Sequence, residues 1–112
     1  MTDMTDREML EYAAKAAGIE RGADRFDGGI SITDITGRHR SLPKWNPLDD
    51  DGDALRLAVK LTLEVDVCQT GVAVRTPTGV KVLVDSKEEP NAYAATRRAI
   101  VRAAAEIGKG MK

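Results

Sequence analysis

Apolar residues recur along this chain with two periods, and the changes between them mark out its elements. Met9, Leu10, Ala13, Ala16 and Ala17 share one helical face, while Arg7, Glu11 and Lys15 repeat at i, i+4 on the opposite one. Thr5 and Glu8 have capping-box spacing and Gly18 suits the C′ position, so the first helix is bounded at both ends. With so many alanines on its apolar face, this helix must pack closely. Between Gly28 and Ile35 the β-branched residues partly alternate, predicting a short strand followed by a basic loop, Arg38-His39-Arg40, that runs to Pro43. A second helix is expected to start inside the cluster Asp49–Asp53, where carboxylates cap free amides and complement the helix dipole. Ala54, Leu55, Leu57, Ala58, Val59 and Leu61 cover half its wheel or more, which predicts the central helix of the core.

The period then shortens to two. Glu64–Cys68, Val72–Arg75 and Val80–Val84 alternate and are joined by short turns at Thr70-Gly71 and Pro77-Thr78-Gly79, the pattern of an antiparallel meander. Val65, Val67, Val72, Val74, Val80, Val82 and Val84 share one face, expected to be core. Glu64, Asp66, Cys68, Ala73, Arg75, Lys81 and Leu83 share the other, expected to be wet, covered by a helix, or covered by a second copy. A last helix is predicted from Pro90 at N1 after Glu89 as cap, with Ala92, Tyr93, Thr96, Ala99, Ile100, Ala103 and Ile107 inward. Arg98, Arg102 and Glu106 lie opposite, Arg97 sits at the edge of the inner face, and Ala94, Val101 and Ala105 form a second, weaker apolar strip. The predicted order is α-β-α-β-β-β-α, an α+β domain spanning residues 1–112 with frayed ends at 1–4 and 109–112.

Composition narrows the function classes. At 112 residues and 42% apolar, the chain can build one modest core without a disulfide or metal. A net charge of −1 argues against nucleic acid and anionic membranes as partners. Residues 1–53 carry 7 Lys/Arg against 12 Asp/Glu, and residues 54–112 carry 10 against 6. The halves therefore attract one another, either within one fold or between two copies. One cysteine, Cys68, cannot form an internal disulfide, and no segment reads as a signal peptide or membrane span, so a cytoplasmic protein is expected.

Two separated stretches carry a family likeness. Trp45-Asn46-Pro47-Leu48 followed by Asp50-Asp51-Gly52-Asp53-Ala54-Leu55-Arg56-Leu57-Ala58, and later Ala95-Thr96-Arg97-Arg98-Ala99-Ile100-Val101-Arg102-Ala103-Ala104-Ala105-Glu106-Ile107-Gly108, resemble the phage ABA sandwich domain family of tailed-phage and prophage proteins. The likeness covers the last two thirds of the chain, and residues 19–44 match poorly. It implies an α/β/α layered sandwich, with Cys68, Ala73 and Leu83 beneath the first or third helix. It also implies a phage or prophage origin and a bacterial host. The family has no established activity, so no catalytic residue is transferred. Trp45, Asn46, Pro47, Leu48, Asp50 and Asp53 are its signature positions here.

No motif specifies chemistry. Counted around Gly52, an EF-hand loop would need a ligand at Pro47 and a Glu at Ala58, so the acidic cluster reads as helix capping rather than a metal site. Trp45 is suited either to closing the core or to stacking on a base, and Arg97 and Arg98 either to a solvated face or to a phosphate. One histidine, His39, and one cysteine form no catalytic constellation, which argues against an enzyme and implies no cofactor. Two readings follow: an accessory protein acting through protein–protein contacts, and a nucleotide-like small-molecule binder using Trp45, Arg97 and Arg98. The Ala94/Val101/Ala105 strip, the charge asymmetry and the mixed sheet face point further to a homo-oligomer.

Overall fold

The computed structural model describes residues 4–19 and 45–111. It contains three helices, α1 (Asp6–Ala17), α2 (Asp51–Lys60) and α3 (Ala92–Lys109), and three strands, β1 (Glu64–Cys68), β2 (Gly71–Arg75) and β3 (Lys81–Asp85). A 3₁₀ turn at Ser86–Glu88 precedes α3. The strand expected within Gly28–Ile35 and the basic loop around His39 lie outside the described residues. The class is α+β, with an antiparallel sheet in the order β1-β2-β3.

The capping box at α1 is complete. Glu8 N donates to Thr5 Oγ1 at 3.1 Å, and Thr5 N donates to Glu8 Oε1 at 2.9 Å. These bonds hold the exposed Glu8 carboxyl below its ordinary pKa, because they favour the charged form. At the other end Gly18 takes the left-handed conformation, φ 71°, and Ile19 N reaches back to the Ala14 carbonyl. Asp50 caps α2, accepting from Asp53 N at 2.8 Å. The cap of α3 is Asn91, whose Oδ1 accepts from Ala94 N at 2.9 Å. The expected cap, Glu89 with Pro90 at N1, is therefore displaced by two residues: an asparagine carbonyl at the true boundary satisfies an amide that proline can only tolerate losing.

The central helix is α3, not α2 as the hydrophobic wheel suggested. It packs against α1, α2, β2 and β3 and buries residues around most of its circumference: Ala95, Ala99, Ile100, Val101, Ala103, Ala104 and Ala105. The second apolar strip of the sequence is part of this burial, since Val101 and Ala105 are inaccessible. Ala13, Ala14 and Ala17 of α1 are buried too, and the two helices approach so closely that a Cβ on Gly108 would collide with the Tyr12 carbonyl. Small side chains on both helices make that approach possible. On α2, by contrast, Leu55 and Val59 face solvent.

Only part of the valine face is core. Val72, Val74, Val82 and Val84 of β2 and β3 are buried, whereas all five residues of β1 are exposed and Val80 precedes β3 as an exposed turn residue. The opposite face is open: Leu83 is 65% exposed, Cys68 is exposed, and no described helix lies over them. The expectation that these residues sit beneath the first or third helix is thus corrected. α1 docks on α3 rather than on the sheet, because its alanine face complements the small residues of α3 and not a strand surface of valines.

Candidate functional site

Residues 45–58 and 95–108 meet in space through Arg97. Trp45 is 7% exposed and belongs to the core, as does Pro47. Asn46 turns the chain: its carbonyl accepts from Asp49 N at 3.0 Å and Asp50 N at 2.9 Å, and its Oδ1 accepts from Leu48 N at 3.1 Å. Pro47 fixes the φ that this turn needs. Asn46 N in turn donates to Asp53 Oδ2 at 2.9 Å, while Asp53 Oδ1 accepts from Arg56 at 2.7 Å. Arg97 then reaches across from α3. Its Nε donates to the Leu48 carbonyl at 2.8 Å and its Nη1 to Asp51 Oδ1 at 2.6 Å. Trp45, Asn46, Pro47, Leu48, Asp50 and Asp53 therefore form a turn and a cap, which Arg97 clasps to α3.

Arg97 and Arg98 point to different sides of α3, as consecutive helical residues must. Arg98 bonds Glu89 at 2.8 Å and Asp6 at 3.1 Å, tying the start of α1 to the entry of α3. Burial works against its charge, yet the bonds to Glu89 and Asp6 outweigh that cost and raise its pKa. The structure thus brings Arg97 to the Trp45 segment, sends Arg98 elsewhere, and engages both guanidinium groups with protein acceptors. Trp45 offers no free ring face for stacking.

Sequence reasoning missed an apolar concavity. Between α2, β1 and the first half of α3 lies an open groove of about 510 Å³. Val65 and Val67 form its floor, Ala54, Leu55 and Ala58 one wall, and Tyr93, Thr96 and Ile100 the other, with Asp51 and Arg97 at the rim. Its walls are almost wholly apolar, and the Thr96 hydroxyl is turned away onto its own helix, donating to the Ala92 carbonyl at 2.7 Å. Leu55, Val67 and Tyr93 are 65%, 56% and 71% exposed. The clasp sets the width of the groove by fixing the start of α2 against α3. Its signal in the sequence was the surplus apolar arc of α2, read there as core contact.

The arrangement offers apolar area rimmed by the Asp51–Arg97 ion pair, not a reactive centre. No cluster of three or more metal-ligating side chains occurs among the described residues. Among them, too, no helix is long and apolar enough to cross a membrane. No family model, curated protein or solved structure matches the chain.

Proposed function

We propose that this chain is a small phage- or prophage-encoded accessory protein that works by protein–protein contact, with the α2–β1–α3 groove as its docking surface. The observation that carries this reading is the apolar groove itself, where Leu55, Val67 and Tyr93 stand mostly exposed around a shared concavity. Covering a side chain of that size contributes roughly 1.5–3 kcal/mol, so the three supply the apolar part of an interface before the cost of association is met. The occupant is an apolar protein segment flanked by Lys or Arg. Asp49, Asp50 and Asp51 are exposed at the start of α2, beside the groove; with Asp53 they outnumber Arg56 and Arg97, which pair with Asp50, Asp53 and Asp51, and the net negative charge left over complements such a segment. The phage origin is supported by the resemblance of the two stretches that the Arg97 clasp joins. The unpaired Cys68, exposed on a strand, fits a reducing bacterial cytoplasm. A nucleotide-binding reading loses support from the burial of Trp45 and the engaged arginines.

The test is a peptide array of apolar segments with and without flanking Lys, followed by titration calorimetry on wild type, Leu55→Glu and Tyr93→Ala. Basic-flanked segments should bind wild type and lose affinity at least about tenfold, or 1.4 kcal/mol, in both variants. Binding that ignores both substitutions, or no binding to any segment, would end the proposal.

A further inference from the structure

A groove walled by two helices and floored by a strand constrains the form of its occupant as well as its polarity. On α2 the lining begins at Asp51, and the exposed pair Leu55 and Val59, spaced i, i+4, carries that wall one residue past Ala58. On α3 the lining runs from Ala92 to Ile100. At the helical rise both walls are about 12 Å long.

An extended segment crosses that length in about four residues and turns only two side chains to one face. A helix crosses it in about eight and presents three, at i, i+3 or i+4, and i+7. Leu55, Val67 and Tyr93 stand exposed around the concavity to receive such a stripe. Hydrogen bonding separates the two forms further. Asp51 and Arg97 bond one another, and apart from them and Tyr93 the lining holds one polar side chain, Thr96. Its hydroxyl is committed to the Ala92 carbonyl. An extended backbone laid here would bury amides and carbonyls without partners, whereas a helix satisfies its own. Adding a strand beside β1 instead would set it against Glu64 and Asp66, charged residues of the kind that discourage strand pairing.

Resting on the docking role proposed above, we infer that the occupant is an amphipathic α-helix of another protein, seated between α2 and α3 over Val65 and Val67. Its Lys or Arg residues lie at one end, because Asp49, Asp50 and Asp51 all stand at the start of α2. The helix also covers Val59, which lies outside the groove and beyond the reach of an extended segment confined to it.

The experiment compares synthetic peptides of about 15 residues, marginal as helices when free. The first places Leu at i, i+4 and i+7 and ends in Lys. The second has the same composition with Leu at every second position, and the third is the first with Pro at its centre. In titration calorimetry with the full chain, the first should bind at least about tenfold more tightly than either other. Its helical circular dichroism should rise on binding. Leu55→Glu and Val59→Glu, both at exposed positions, should each weaken it with the protein's own fold unchanged. If the alternating peptide binds as tightly as the first and is lost in Leu55→Glu, the helical form is overturned and the docking role stands. If no peptide binds, as when another part of the same chain fills the groove, both fall. Both fall equally if binding survives Leu55→Glu. Binding of the first peptide that ignores Val59→Glu overturns its placement along α2.

Discussion

Replacing Gly108 with alanine tests the close approach of α1 and α3. The added Cβ would strike the Tyr12 carbonyl oxygen, lie 2.7 Å from its carbon and 3.1 Å from the Tyr12 Cα. These are backbone atoms of a packed helix, so neither can rotate aside. The helices must part, which loosens the contacts of Ala13, Ala14, Ala17, Ala104 and Ala105, all buried. Overpacking of this kind costs about 1–3 kcal/mol, and a clash with backbone belongs in the upper part of that range. Alanine's better helix propensity returns at most about 1 kcal/mol, and less in the last turn. The net expectation is a loss of about 2 kcal/mol, read as a fall in Tm of roughly 8 °C for a domain of this size. Gly110→Ala is the control: its nearest neighbour is 3.6 Å away and its φ of −81° suits any residue. That substitution should leave Tm unchanged or raise it slightly. Differential scanning calorimetry of both variants decides the matter. A Gly108→Ala protein as stable as Gly110→Ala would refute the close helix approach.

Three further outcomes follow from the same geometry. Arg97→Ala removes the bonds to the Leu48 carbonyl and Asp51; it should cost about 1–3 kcal/mol, most of it from the partly buried carbonyl, since Asp51 is largely exposed. Urea denaturation followed by Trp45 fluorescence, reporting from beside the released turn, measures this directly. Val74→Ala, on the inaccessible centre of the sheet, should destabilise by roughly 2 kcal/mol, whereas Val67→Ala, 56% exposed on β1, should cost less than about 1 kcal/mol; equal costs would contradict the one-sided core. Glu8 has a folded pKa below its unfolded one, so its stabilisation is present above the ordinary carboxylate range and is lost as pH falls through the folded value. Wild type should therefore lose stability more steeply than Glu8→Gln between about pH 5 and pH 3, as read by thermal melts. Parallel profiles would show that the capping box does not depend on the charge.

Local chemistry was the legible part of this fold. Thr5, Glu8 and Gly18 bounded α1, and Asp50 capped α2, because a cap's partners lie within four residues and need no knowledge of the rest. The meander was equally readable from its alternation and turns. The sequence did not reveal which helix lies at the centre. α2 and α3 have comparable apolar arcs, and only tertiary packing buries the second strip of α3 under α1 while leaving Leu55 and Val59 bare. For the same reason the valines of β1 and β2 look alike in sequence and differ in burial. Trp45, Arg97 and Arg98 were read together as one ligand set, but the role of Arg97 as a clasp required seeing the Leu48 carbonyl. The groove was illegible because it is defined by what, among the described residues, fails to cover β1.

The pairing of α1 with α3 also sets an order of events during synthesis. α1 leaves the ribosome early, but the surface that buries Met9, Leu10 and its alanines belongs to a helix that begins at Ala92. A 12-residue helix is marginal on its own in water, so α1 gains lasting structure only after α3 has emerged. The sheet can form sooner, since its strands are sequence neighbours joined by short turns. Folding of this chain is thus held open until its C-terminal helix closes it. A ribosome stalled before Gly108 would expose an unfinished core to chaperones and proteases rather than release a partly working protein.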